Sequence, residues 1–489
     1  MKRSDAMRVL VTPACLIALA VLVPAAGRSQ APAASLALEQ ALVLPVAGGV
    51  TLMPPVVLSL EEAYHLAGAS HEQIVIARQE LDKSRLKPDQ ARSIMLPHAK
   101  VDGDYRHLDD DMTRTTQSHL AVPGLGIDQD ILVGPTLVAR EDQLSTTFSV
   151  QQALYQGEYF PLRRAAGHTI DHSREALQET VQEVLFSVAT VFYRCVTAKA
   201  LVATAGQLLD LARKDLAVAQ TKVQAGKLTE DAAYRARLSV TRTEAQRLSA
   251  QHQLVLARDL LARLTGRSTP VADVVEPAPL LPRGDDLESL LAIAQANRYD
   301  FRRAALRVQL AEDELALAKA KSHPSLGAEW RYTWFDREPP TLDKEFWAAM
   351  VRLSVPLVEG GARLAEEEEK AISLQQARTA QLDLEKRIRL EVVEAFLGVG
   401  NQEAVLANAQ QQVEAAAKSH EIVTARYDFG AATSLDYDQA YTALQAARNS
   451  LVTETYAYQL ALLKLEKAIG LFGRDEVEAL MAQQGETRP

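Results

Sequence analysis

Gly226 and Gly430 each interrupt a long stretch suited to a helix, and each is followed forty residues later by another glycine, Gly266 and Gly470. A spacing used twice means that one supersecondary unit occurs twice, and this limits the fold more than any other feature. Without gaps, at an offset of 227, LEEAYHLAGASHEQIVIA (60–77) lies over LESLLAIAQANRYDFRRA (287–304). Leu60 then meets Leu287, Glu61 meets Glu288, Ala67 meets Ala294, Ala69 meets Ala296 and Ala77 meets Ala304, and further on Ala91 meets Ala318 and Pro97 meets Pro324. Later the offset becomes 204, pairing Phe192 with Phe396 as well as the two glycine pairs. Each half reads as helix, strand, loop, strand, very long helix, turn, helix.

Proline ends or kinks helices, so its absence marks where long ones can run. Residues 162–269 and 357–488 contain none, whereas prolines 270, 277, 279 and 282 punctuate the stretch between the halves. Within the first gap Val181, Val188, Cys195, Val202, Leu209, Leu216 and Val223 recur every seven residues, and Val184, Val191, Ala198, Ala205, Ala212 and Ala219 follow three later. Ile388, Val392, Ala395, Val399, Leu406, Ala409, Val413, Ala416, Val423 and Tyr427 keep the same register in the second. This is a coiled-coil seam with small residues that let helices approach closely. A helix from about 157 to 226 is on the order of 100 Å long at 1.5 Å per residue. Cys195 falls on the seam, which predicts core packing for it. Gly226 and Gly430 are predicted to take positive φ at the tips of two helical hairpins, with Thr229 and Ser434 as caps of the return helices. Pro88 predicts a kink in the first helix that Leu315 in the second repeat does not impose. Aromatic residues make up only 5% of the chain, as suits packed helices, and the formal charge of −10 offers no basic field for nucleic acid.

MKRSDAMR followed by VLVTPACLIALAVLVPAA has the form of a secretory signal peptide, assigned to residues 1–33. Cys15 lies inside the apolar core of that segment and lacks the flanks of a lipidated cysteine, and its removal leaves Cys195 with no partner for a disulfide. No other run is apolar over 18 residues, so no membrane-spanning helix is expected. The remaining divisions are a linker at 34–54, a first repeat at 55–269, a Pro-rich linker at 270–283, a second repeat at 284–475 and a tail at 476–489.

Between the first and second helices of each half the helical period gives way to alternation. Leu326, Ala328, Trp330, Tyr332 and Trp334 share one strand face opposite Glu329 and Arg331, and Val101 and Tyr105 oppose Lys100, Asp102, Asp104 and Arg106. The partner strands carry Leu144, Phe148 and Val150, and Trp347, Ala349, Val351, Leu353, Val355 and Leu357. Strands of ~9–11 residues with one apolar face are what a transmembrane β-barrel uses, and the clustering of Trp330, Trp334 and Trp347 suits a girdle at the membrane interface. A soluble hairpin packed on the helices is the competing reading of the strands alone. Four strands cannot close around a lumen, and an open edge cannot face lipid, so a membrane role requires oligomerisation. The segments 108–142 and 336–345 are expected to be outward loops.

From about residue 55 to 475 the chain resembles the TolC family of outer-membrane efflux proteins. The resemblance rests on the duplicated order of elements, on the junctions LYQGEYF and PLVEGGARLAEEEE, and on YDFGAATSLDYDQA with Tyr427, Gly430, Asp436 and Ala440 at the family's second-tip spacing. The first tip departs from it, with Val223 and Ala232 where Tyr and Asp would stand. The resemblance implies a mainly α fold with a small β part: a homotrimer whose strands form a 12-stranded transmembrane barrel in outer-membrane lipid, continued by a periplasmic α-helical barrel. It further implies that the tips, Gly226, Lys227 and Leu228 with Gly430, Ala431 and Ala432, dock a periplasmic adaptor (membrane fusion) protein linked to an inner-membrane pump. Asp436 matches a position of the periplasmic gate, where three copies on an axis would favour cations; a charge complementing its helix dipole is the alternative role. Ala432 stands where some members carry a basic residue.

His168 and His172 lie one helical turn apart without a third metal ligand in view, so a solvated helix face is expected, and AEEEEK (365–370) reads as an acidic helix start. No nucleophile elbow, phosphate loop, CxxC or HExxH occurs, and neither an enzymatic activity nor a cofactor is expected. The function read from the sequence is a passive outer-membrane exit duct. Its rivals are a periplasmic coiled-coil adaptor or scaffold, which has no use for paired amphipathic strands, and an envelope hydrolase, which no motif supports.

Overall fold

The computed structural model describes residues 57–483 apart from 123, 125–126, 227, 268, 270, 283 and 340–341. The signal segment 1–33, the linker 34–54 and Lys227 therefore lie outside the described residues. The first repeat runs β1 (Val57–Leu58), α1 (Leu60–Ser70), α2 (Glu72–Arg85), α3 (Lys87–Ser93), β2 (His98–His107), β3 (Met112–Val122), β4 (Ile127–Ala139), β5 (Asp142–Gln156), α4 (Tyr159–Gln224) and α5 (Glu230–Leu264). The second runs β6 (Asp273–Val274), α6 (Leu287–Asn297), α7 (Tyr299–Ala320), β7 (Ser325–Phe335), β8 (Glu345–Ser354), α8 (Ala362–Asp428) and α9 (Ser434–Ala468), followed by α10 (Arg474–Gln483). α6 and α7 begin 227 residues after α1 and α2, and α9 begins 204 after α5, so the offsets of the sequence are those of the structure.

The first helix of each repeat is broken, a feature the sequence did not announce. His71, with φ −69° and ψ 128°, ends α1 and starts α2, and its counterpart Arg298, with φ −67° and ψ 128°, does the same between α6 and α7. One extended residue is enough to change the helix direction. Near Pro88 the expected interruption falls at Leu86: α2 stops at Arg85 and α3 begins with the proline in its first turn, where the missing N–H is harmless, while Leu86 between them stays in the right-handed region at φ −83° and ψ −12°. α7, with leucine at that place, continues to Ala320.

The four expected strands form one antiparallel sheet in the order β2-β5-β7-β8, with Val101 opposite Phe148, Phe148 opposite Tyr332, and Tyr332 opposite Trp347. The stretch 108–142 is not the loop expected of it. β3 and β4 pair as a separate two-stranded ribbon, from Met112 opposite Ala139 to Val122 opposite Ile127. Their threonine- and valine-rich composition favours strands, and Pro-Gly-Leu-Gly between them is turn chemistry.

The inter-repeat linker contributes β6, which pairs in parallel with β1. Asp273 anchors it to both helices of the first hairpin, accepting from Lys199 Nζ at 2.8 Å and from an Arg258 nitrogen at 3.0 Å. Most of the expected C-terminal tail is α10, whose Val477, Leu480 and Met481 are buried in the main core with Phe192, Leu185 and Leu261. A smaller core joins α6, α8 and α9 through Leu290, Val392 and Leu465. Cys195 is fully buried in the main core, and burial pushes its thiol up to about 12. Among the described helices α4 has a stretch long and apolar enough to cross a membrane, and half of that stretch is buried against its neighbours.

Candidate functional site

The hairpin tips are set by backbone geometry. Gly226 and Gly430 have φ of 69° and 72°, and a Cβ at either would meet nothing within 4 Å, so positive φ and not lack of space calls for glycine. At the second tip Gly430 N–H donates to Tyr427 O and Ala431 N–H to Arg426 O, which satisfies the last carbonyls of α8 as a Schellman motif. The same pair of bonds ends α5 at Gly266 and α9 at Gly470. Phe429, immediately before the tip glycine, is 88% exposed.

The two return helices start differently. Thr433, not Ser434, caps α9: its hydroxyl accepts from Asp436 N–H at 3.2 Å, while Asp436 Oδ2 accepts from Thr433 N–H at 2.9 Å and from its hydroxyl at 2.7 Å. The Thr433 hydroxyl and then its N–H hold the Asp436 carboxyl below the usual carboxylate range, so Asp436 is an exposed, ionised member of a capping box. Thr229 occupies the cap of α5 but makes no side-chain cap bond.

Side chains remote in sequence tie the two hairpins together. Lys222 Nζ lies 2.6 Å from Asp428 and 5.3 Å from the centre of the Tyr427 ring. Deeper between the helices, the Tyr437 hydroxyl is bonded to Asp215, and the His420 ring lies 5.3 Å from that of Tyr437 and 6.1 Å from that of Tyr441. The Tyr441 hydroxyl donates to Leu208 O at 2.8 Å, and Gln445 pairs with Gln246. Burial raises the pKa of Asp215 and lowers that of His420, whose Nε2 is buried with no hydrogen-bond partner among the described residues. Nothing in the sequence singled out Asp215, Lys222 or His420. They are brought together across about 200 residues by the register of two coiled coils, and only the heptad phase carried a trace of it.

The sheet is inverted relative to one that faces water on its polar side. Val101, Tyr105, Trp347, Val351 and Leu353 are each at least 65% exposed, while Gln143, Ser149 and Thr333 on the opposite face are at most 7% exposed. Thr147 and Thr333 share a hydroxyl contact of 3.1 Å on that polar face. Trp334 and Trp347 lie toward the β7–β8 turn, with Lys344 Nζ 5.8 Å from the Trp334 ring. Trp330 lies four residues along the strand from Trp334, edge to face with Phe148 at 5.9 Å.

His168 does not simply face solvent as expected. Its Nδ1 is 2.7 Å from the buried Asp313 of α7, which also accepts from Arg164 Nε at 3.2 Å. His172 is half-buried, and burial lowers its pKa. Among the described residues His107, Glu141 and Asp142 bring ligand atoms within 4.8 Å of one another at the outer end of the sheet, where His107 and Asp142 are already bonded at 2.8 Å.

A model of the outer membrane efflux protein family matches residues 63–267 and 290–471. No curated protein matches by sequence. Among solved structures the fold is similar to the outer membrane protein VceC of Vibrio cholerae, at 18% identity over 84% of this chain and 96% of that one with a TM-score of 0.67. It is also similar to the CmeC outer membrane channel of Campylobacter jejuni, at 14% identity over 87% and 89% with a TM-score of 0.69. CusC, described for its transmembrane channel formation, shares 17% identity over 84% and 92% with a TM-score of 0.69.

Proposed function

The chain belongs to the outer membrane efflux protein family, and from that premise we propose that it is the outer-membrane channel of a tripartite export system. Three copies form a passive exit duct for substrates delivered by an inner-membrane pump through a periplasmic adaptor. The observation that carries this reading is the inverted sheet. An apolar face left in water is costly, whereas the same face toward lipid is favourable and leaves the threonine- and serine-bearing face for a wet lumen.

Among the described residues β2 and β8 are the unpaired edge strands of the sheet, and lipid does not tolerate an open edge. Joining β8 of one copy to β2 of the next pairs those edges, and three sheets of four strands make a closed barrel of twelve. The long helices continue the wall into the periplasm. Their tips, Gly226 to Leu228 with Lys227 between them and Gly430 to Ala432, dock the adaptor. Asp436 is exposed and ionised close to the tip, as a charged constriction requires. Opening such a tip separates the hairpins, so the Lys222–Asp428 and Asp215–Tyr437 contacts resist it.

Membrane fractionation tests the proposal. A detergent-extracted trimer from outer membranes that forms conducting pores in planar bilayers is the expected result. A chain that stays soluble without detergent overturns it and favours a periplasmic adaptor or scaffold. Replacing Gly226 or Gly430 by a bulky charged residue is expected to abolish export while trimers remain in the membrane, and unchanged export argues against these tips as docking points.

A further inference from the structure

Duplication gives every contact between the two repeats a counterpart that a single chain cannot make. α2 packs on α4 and α4 packs on α7, while α7 packs on α8. The contact of α7 with α8 is the second repeat's version of α2 with α4. The second repeat's version of α4 with α7 is α8 with an α2, and that α2 belongs to another copy.

The seam inside the chain is ionic. His168 and Arg164 of α4 engage Asp313 of α7, Glu179 lies 3.3 Å from Arg303, and Glu175 lies 3.7 Å from Arg302. Moved back by 227, Asp313, Arg302 and Arg303 become Leu86, Val75 and Ile76; moved forward by 204, His168 and Glu175 become Ile372 and Thr379, and Glu179 becomes Asp383. Arg164 becomes Glu368, and because Leu86, Val75 and Ile76 carry no charge, none of these positions can pair ionically across a seam between copies. Leu86, Val75, Ile76 and Ile372 are all exposed in the single chain, and the strip on α8 continues through Leu390 and Leu397. Positions 372, 379, 390 and 397 are spaced by 7, 11 and 7, intervals that return to one helix face.

We propose that neighbouring copies meet along this strip, with α2 and the start of α3 of one chain seated on α8 of the next. An aliphatic contact, centred on Leu86 against Ile372, replaces the ion pairs of the internal seam. The inference rests on the trimeric reading and adds which faces meet and by what chemistry. It also accounts for the chain boundary. α7 is a poor substitute for a neighbour's α2 on α8: Arg303 would meet Asp383, but Arg302 would face Thr379 without a partner and Asp313 would face Ile372 beside the like-charged Glu368. Copies are thereby kept from joining out of phase.

The test uses full-length protein in detergent. A chain carrying Leu86→Cys and Ile372→Cys, treated with a short bismaleimide, is expected to give covalent dimers and trimers, while either single variant gives none. Leu86→Asp is expected to lower the trimer fraction at least tenfold by light scattering, and adding Ile372→His, which rebuilds the internal pair between copies, is expected to restore most of it. Asp313→Asn, on the internal seam, leaves the trimer fraction unchanged. Wild-type protein found monomeric removes the trimeric reading itself. A wild-type trimer in which the double cysteine chain does not cross-link between copies, or which tolerates Leu86→Asp, overturns this inference and leaves that reading in place.

Discussion

α4 and α8 are counterparts of 66 and 67 residues with the same heptad register, yet α4 has nineteen buried residues and α8 has five. Propensity and pattern do not separate them. Company does: α4 runs through the middle of the chain and packs on α2, α5, α7 and α9, whereas α8 packs on α6, α7 and α9 and presents a flank with no packed helix among the described residues. Burial is a property of position in an arrangement, and equal sequence patterns can hold unequal shares of a core. The same asymmetry distinguishes the tips, since α9 begins with a complete capping box and α5 does not.

The largest expected effect tests this comparison in the core. Phe192 is fully buried in α4, while its counterpart Phe396 is only partly covered on α8. Phe192→Ala is expected to lower stability by about 3–5 kcal/mol, and Phe396→Ala by less than half as much in chains kept apart by dilution in detergent, as followed by helix loss in denaturant. Equal losses in separated chains would break the comparison.

The helix ends sharpen it. Gly430 and Gly470 share positive φ, but a Cβ at Gly470 would come within 2.9 Å of the Arg298 backbone nitrogen, while at Gly430 it meets nothing. Gly430→Ala is expected to cost ~1–2 kcal/mol from the left-handed backbone alone, and Gly470→Ala measurably more in the same denaturation experiment. At the caps, Thr433→Ala is expected to cost ~1 kcal/mol, whereas Thr229→Ala changes little because its side chain makes no cap bond.

The smallest effect concerns pH. Burial holds His420 below its ordinary value of 6.5, with Asp215 partly opposing the shift. A histidine with a depressed folded pKa contributes stability that is full above the unfolded value and is lost as pH falls toward the folded one. Lowering pH from neutrality through 6.5 should therefore destabilise the wild-type tip more than that of His420→Gln, measured by thermal midpoint. Parallel midpoints for the two proteins would remove His420 from the contact between hairpins.

Much of the architecture was legible because it depends on local rules. Positive φ at Gly226, Gly266, Gly430 and Gly470, the breaks imposed by prolines and the alternation of the four strands are each decided within a few residues. The ribbon of β3 and β4 escaped because Asp109 to Asp111 and the Pro-Gly turn have a loop-like composition that masked the strands between them. The breaks at His71 and Arg298 escaped because neither residue is a helix breaker by type. At the candidate site, the tips were visible as glycines, while the ties between hairpins were not, since Lys222 meets Asp428 and Asp215 meets Tyr437 only after two coiled coils settle their register.

By itself, then, the sequence determined that the chain is two copies of one unit, where its rods begin and end, and which strands present an apolar face, because periodicity and punctuation act over short distances. Tertiary structure decided which repeat's long helix became the core, which charges met across the internal seam, and which apolar strip was left uncovered. Those outcomes depend on which helices become neighbours, and two nearly identical patterns of heptads and glycines contain no information about the order in which they lie side by side.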